Sequence, residues 1–219
     1  MAPVKSARSF SRFLHAASFA GTVCCSTDPG RLRGVWSTNH FARTMGALVT
    51  GRQPGPNPGM SELPHTHFCF VCGESNALGF RLRFHTDGRV VRTEFTARPE
   101  HVGFREVVHG GLISTLLDEI MVWACAVETK QFAYCAEMKV RFVHPLRPGQ
   151  RATATAELVT NRRGRVFEAK SEMATLEDGV VATATGKYLP LKREEAAAFF
   201  PDLVGDLSLF SGVDRPQKE

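Results

Sequence analysis

Apolar residues run almost unbroken from Gly110 to Val127, interrupted only by Ser114, Thr115, Asp118 and Glu119. A helix over this stretch would be roughly 27 Å long. Its apolar side chains would cover every side rather than one stripe, as in a helix enclosed by a core or spanning a membrane. Two adjacent carboxylates at its middle argue for the core. No proline interrupts the run, and His109-Gly110-Gly111 stands at its start.

On either side the period changes to two. Gly79 to His85 sets Phe80, Leu82 and Phe84 against Arg81, Arg83 and His85, which predicts a half-buried strand. Thr86-Asp87-Gly88 predicts a turn, and Val90 to Thr96 a second strand. Arg98 to Val108, with Pro99 and Gly103, predicts an irregular approach to the helix. Beyond the helix, Tyr134 to Val143 alternates with Ala136, Met138, Val140 and Phe142 expected inward. Arg151 to Thr160 and Arg165 to Leu176 form two further strands across a short loop at residues 161–164. Val180 to Leu191 closes the series, and a helical turn is expected between Glu194 and Phe200. The order β-β-α-β-β-β-β predicts an α+β domain, an antiparallel sheet wrapped around one long helix.

Three regions follow. Residues 1–59 are rich in Arg, Ser, Gly and Pro and are expected to be a disordered arm, a transit-like segment or a start-site artefact. Residues 60–192 hold the folded domain, and 193–219 a tail. The pI near 9.0 suggests nucleic acid until the charge is located. The arm carries Lys5, Arg8, Arg12, Arg31, Arg33, Arg43 and Arg52 against the single acid Asp28. The remainder is close to neutral, so nucleic-acid binding loses its main support. Cys24, Cys25, Cys69, Cys72, Cys125 and Cys135 lack the spacing of a disulfide scaffold, which favours a reducing compartment. The expected location is cytoplasmic, or mitochondrial if the arm acts as a transit peptide, with no membrane span.

Several stretches in this order carry a likeness: Cys69-Phe70-Val71-Cys72-Gly73 with Asn76 and Gly79; His109-Gly110-Gly111-Leu112-Ile113-Ser114-Thr115-Leu116-Leu117-Asp118-Glu119; Ala136 to Phe142 ending at Pro145; and Gly186-Lys187-Tyr188-Leu189-Pro190. From about Phe68 to Leu191 the chain resembles the hotdog-fold acyl-CoA thioesterases of the phenylacetate-degradation type. The resemblance implies a homodimer or a dimer of dimers, an acyl-CoA substrate and no cofactor.

Thioester hydrolysis needs negative charge stabilised on the carbonyl oxygen and a group that activates water or attacks directly. A helix start offers unpaired N–H groups and a favourable dipole, and Gly110 and Gly111 leave the approach clear. One of their N–H groups is the expected oxyanion donor. Asp118 matches the family's catalytic acid, as base or nucleophile. Gly110 and Asp118 stand roughly 12 Å apart along one helix, whereas a reacting carbonyl needs its partners about 3 Å away. The site is therefore expected to be shared between two chains. His109 is expected to position more than to catalyse, and Glu119, turned about 100° from Asp118, to pair with a basic residue.

The chain also departs from that family. Gly103 stands where some relatives have Asn, and Cys135 where a Ser or Thr hydroxyl is common near the acid. For the phosphates of CoA, Arg162, Arg163 and Arg165 on one hairpin and Lys139 and Arg141 on one strand face are the candidate contacts. The acyl chain is expected near Leu112, Leu116 or Trp123. His65, His67, Cys69 and Cys72 have zinc-type spacing. Zinc modules usually draw a second pair from farther away, so no metal is assigned. Two alternatives stand beside hydrolysis: a hotdog dehydratase acting on hydroxyacyl thioesters through His101 or His109, and a non-catalytic acyl-CoA binder.

Overall fold

The computed structural model describes residues 59–210. The arm expected over residues 1–59 lies, Gly59 apart, outside the described residues, as does the end of the tail. One antiparallel sheet holds seven strands: β1 (Ser61–Glu62), β2 (His85–Thr86), β3 (Val90–Thr96), β4 (Ala133–Phe142), β5 (Arg151–Arg162), β6 (Val166–Thr175) and β7 (Gly179–Pro190). Their order is β1-β2-β3-β5-β6-β7-β4, so β4, the strand after the long helix, forms an edge beside β7. Short hairpins give β5, β6 and β7 long registers with one another, and β3 pairs with β5 across the interrupted connection.

Helix α1 (Gly110–Thr129) lies against this sheet and packs on strands β3 to β7. Leu116, Leu117, Ile120, Met121, Ala124 and Cys125 are sealed between it and the sheet's inner residues, among them Ala154, Phe167, Met173 and Ala182. Small alanines on the strands let the helix approach closely, while large residues on the helix fill the space. This is the hotdog arrangement. The helix ends at Lys130, which takes a left-handed conformation (φ 60°) and donates its N–H to the Ala126 carbonyl. Behind the helix an aromatic group of Phe84, Trp123, Phe132 and Phe210 closes the core. A short helix α2 (Arg193–Ala197) follows the last strand.

Two strand expectations are corrected. Residues 79–84 are not strand; this stretch joins the sheet only at His85. Leu82 and Phe84 are buried as the alternation requires, but Arg81 is left-handed (φ 56°) and breaks the extended run. The Phe80 and Leu82 N–H groups donate to the Phe70 and Val71 carbonyls (2.8 and 2.9 Å). The segment thus straps the Cys69–Gly73 loop instead of joining the sheet. On β4 the expected inward set is not buried: Ala136 is exposed, Met138 and Val140 are half-buried, and Phe142 is 52% exposed. Alternation follows from the pleat, whereas burial needs something to cover the face, and at this edge the chain itself supplies little. The approach over 98–108 is also more ordered than expected, with a 3-10 turn at Pro99–His101 and a two-stranded ribbon of 102–104 with 107–108.

Candidate active site

His109 is the N-cap of α1. Its ring Nδ1 accepts the Gly111 N–H at 2.9 Å, and its carbonyl accepts from Leu112 and Ile113. Of the two glycine donors expected to serve an oxyanion, Gly111 is therefore already engaged. The Gly110 N–H has no partner among the described residues and points the helix's positive end at whatever lies outside. His109 acts as a positioner here, by capping.

A cavity of about 460 Å³ opens at this helix start. Gly103, His109 and Gly110 line it with apolar residues that include Phe104, Ile113, Phe142 and Leu146. Leu116 and Trp123, expected beside an acyl chain, are instead buried in the core (0% and 3% exposed). Neither they nor the half-buried Leu112 lines the cavity; Ile113 does. A Cβ on Gly103 would stand 2.8 Å from the His109 Cδ2, so the glycine makes room for the capping ring. Gly103→Asn is expected to push that ring off the Gly111 N–H. It should cost about 1–3 kcal/mol, which urea unfolding of the variant against wild type measures.

Asp118 does not line this cavity. Its Oδ1 accepts the Tyr188 hydroxyl at 2.9 Å, and Cys135, opposite Tyr188 in the β4–β7 ladder, completes the group. Partial burial and then the Asp118 carboxylate push the Cys135 thiol up to about 11. Burial and the same carboxylate push the Tyr188 hydroxyl up as well. Both side chains thus keep their hydrogens at neutral pH. With Cys135 at the position where a Ser or Thr is common in the family that the sequence resembles, the hydroxyl on Asp118 comes from Tyr188 on the neighbouring strand. Two features build this contact. Ala136 is left over where the β4–β7 register shifts, a bulge that redirects its neighbours. A Cβ on Gly186 would lie 2.6 Å from the Tyr188 ring and 2.9 Å from its hydroxyl, so only glycine leaves the ring its place. Sequence reasoning reached Tyr188 only as part of a motif, because a shared position across two strands is invisible along the chain.

Tyr188→Phe is expected to keep the fold and lower turnover about tenfold by releasing the carboxylate from one charge-assisted bond. Gly186→Ala, which displaces the ring instead, should match that loss. Steady-state kinetics on both variants decide this, and an unchanged kcat in Tyr188→Phe would remove the role.

Among the described residues Glu119 has no basic partner. Its Oε1 accepts from the Trp123 indole N–H (3.2 Å), and the Cys72 and Cys69 sulfurs lie 3.4 and 3.6 Å away. Burial is the main cause that pushes its carboxyl up to about 8. The hydrogen bond between the two thiols draws the Cys69 thiol down and pushes the Cys72 thiol up. His65 and His67 turn the other way, onto the two oxygens of Glu74 at 3.1 Å each. The four residues with zinc-type spacing therefore split into two pairs.

The basic candidates split as well. Lys139 and Arg141 are exposed on β4, the strand that ends in Phe142 at the cavity. Arg162, Arg163 and Arg165 are exposed at the β5–β6 hairpin, with Arg162 held by Glu168 at 2.7 Å. The register carries Asn161 to Phe167 and Phe167 to Tyr188, so this hairpin lies at the Tyr188 and Cys135 end of the sheet. Phe142 pairs with Ala182, six residues from Tyr188 and roughly 20 Å away along the strand. One chain thus presents a donor end and an acid end.

Residues 106–182 match the family model described as Thioesterase superfamily. The span contains His109, Gly110, Asp118 and Cys135, but not Tyr188 or the Cys69 loop. No curated protein matches the chain. Among solved structures, a thioesterase superfamily protein aligns with a TM-score of 0.51 at 24% identity, over 57% of this chain and 60% of that one. The E. coli PaaI protein from the phenylacetic acid degradation operon aligns at 0.43 and 21%, over 46% and 76%. Zebrafish thioesterase superfamily member 2 aligns at 0.47 and 18%, over 52% and 89%. The chain spans about 60% of the length of the first of these, and the likeness at that identity is one of fold.

Proposed function

We propose that the protein hydrolyses acyl-CoA thioesters at a site built from two copies of the chain. The observation that carries this reading is the separation within α1. The unpartnered Gly110 N–H opens on an apolar cavity without an acid in its lining, while Asp118 sits eight residues on with Tyr188 and Cys135. A second copy that sets its acid end against this donor end completes the chemistry. The thioester carbonyl oxygen takes the Gly110 N–H and the helix dipole as negative charge develops. Asp118 of the second copy takes a proton from a water that adds to the carbonyl carbon and returns it to the sulfur as the carbon–sulfur bond breaks, or attacks that carbon itself to give a mixed anhydride that water then opens, while Tyr188 holds Oδ1 and leaves Oδ2 for the reaction. The thiol of CoA departs and the acid is released.

The sheet edge supports such a pairing. Strand β4 is ten residues long and pairs only with β7 among the described residues. It exposes Tyr134 and Phe142, and Val143 just beyond its end is exposed as well. A long apolar edge of this kind seeks another strand, and a two-fold pairing through β4 uses one surface on both copies. In such a dimer the arginine hairpin travels with the acid end, and Lys139 and Arg141 with the cavity.

The dehydratase reading loses its bases. His101 is buried against Phe80 and Phe95, with Nδ1 and Nε2 lying 3.1 and 3.2 Å from Arg98 nitrogens. Burial and then Arg98 hold its pKa down. His109 spends its Nδ1 lone pair on the Gly111 N–H at 2.9 Å, so the neutral ring carries its hydrogen on Nε2 and has no lone pair left to act as a base. A panel of acyl-CoAs of different chain length, followed by free-thiol release, tests the hydrolytic reading. Thermal stabilisation by acyl-CoA without thiol release would replace it with the binder.

A further inference from the structure

The Cys69–Gly73 loop and the middle of α1 meet in a group that hydrolysis does not use. We propose that Cys69, Cys72 and Glu119 form a three-ligand site for a zinc-type divalent cation, tying that loop to the helix beside Asp118. Sequence spacing alone pointed to His65 and His67 as the companions of the cysteine pair. The fold replaces them with Glu119, 47 residues beyond Cys72.

The geometry carries the assignment. One ligand atom from each of the three residues lies within 4.8 Å of the others. Zinc bonds of about 2.3 Å to sulfur and 2.0 Å to oxygen, at tetrahedral angles, need sulfur–oxygen edges of roughly 3.5 Å. The Glu119 Oε1 stands 3.4 Å from the Cys72 sulfur and 3.6 Å from that of Cys69.

The loop is also shaped for its ligands. Cys69 donates its N–H to the Thr66 hydroxyl (2.9 Å), and Gly73 donates to the Cys69 carbonyl (2.9 Å). A Cβ on Gly73 would stand 2.3 Å from that carbonyl oxygen, so the tight turn presenting both sulfurs requires glycine. The Val71 N–H donates to the Cys69 sulfur at 3.2 Å and the Trp123 indole to Glu119 at 3.2 Å. Such outer donors fix the orientation of metal ligands.

Among the described residues no Lys or Arg is bonded to the two sulfurs or the Glu119 carboxylate, and Arg83 donates to the Cys72 backbone carbonyl instead (3.0 Å). Two sulfurs and a carboxylate gathered without a cation suit a borderline-soft divalent ion. Three protein ligands leave the fourth tetrahedral position open to water or an external ligand. The inference does not depend on hydrolysis.

The test uses the full chain, reduced, stripped of metal and titrated with Zn²⁺ or Co²⁺ alone. The expected result is about one equivalent bound per chain, with a thiolate-to-cobalt charge-transfer band and a rise in Tm on zinc addition. Cys72→Ser and Glu119→Gln should each weaken binding at least about tenfold. The His65→Ala/His67→Ala double variant should leave it within about twofold. Glu119→Gln keeps the indole contact, so it guards against loss of fold in Cys72→Ser. A wild-type chain that gives no thiolate–cobalt band overturns the proposal. So does binding that survives Glu119→Gln but is lost with the two histidines.

Discussion

Asp118→Asn is expected to lower acyl-CoA turnover by about 10²–10⁴-fold, the range for loss of a positioned base. KM and oligomeric state should hardly change. The substitution is nearly isosteric, and an amide oxygen can still accept the Tyr188 hydroxyl now bonded to Oδ1. The local packing is therefore preserved while the proton acceptor is lost. Stopped and steady-state assays of thiol release on the best substrate of the panel measure the effect. Turnover within threefold of wild type would mean that the acid only braces Tyr188 and Cys135, and that the catalytic group lies elsewhere.

Mixing two inactive variants is expected to restore activity. Gly110→Val should be as damaging as Asp118→Asn. The Phe142 ring already lies 3.1 Å from where a Cβ on Gly110 would stand, and a branched side chain there screens the Gly110 N–H, which has no partner among the described residues. If each site takes its donor end from one chain and its acid end from the other, a mixed dimer holds one site with both defects and one with neither. An equal mixture with random exchange of subunits should then recover about one quarter of wild-type activity. Neither variant alone should rise above background. Co-refolding or co-expression with distinguishable tags, followed by isolation of the mixed species, gives the measurement. No recovery in verified mixed dimers would place donor and acid in the same chain and end the shared-site reading, even if hydrolysis itself were established.

How much of this was legible along the chain varied with the range of the interaction. The helix start at His109-Gly110-Gly111 and the strand Val90–Thr96 match the pattern, because capping and local alternation are properties of neighbouring residues. Gly79–His85 has the alternation of a strand and the burial of one, but Arg81 adopts a left-handed turn that no period reports. Tyr134–Val143 has the right period and the wrong cover, since burial depends on where the strand falls in the sheet. At the site, the order of His109, Gly110 and Asp118 was visible. The occupation of Gly111 by His109, the hydroxyl of Tyr188 and the companions of Glu119 were not, because each depends on a side chain brought in from another element or a rotamer chosen on folding.

The sequence by itself determined the long buried helix, the strands that follow it along the chain, and the eight-residue separation of Gly110 from Asp118. Those follow from periodicity and helix rise, which need no partner. Only the tertiary structure decided which glycine N–H stays open, which hydroxyl holds Asp118, and that the carboxylate of Glu119 faces two sulfurs rather than an arginine. Each is a contact between residues 2 to 70 positions apart, and such contacts are chosen by packing, where a missing Cβ at Gly103 or Gly186 counts as much as the group it makes room for.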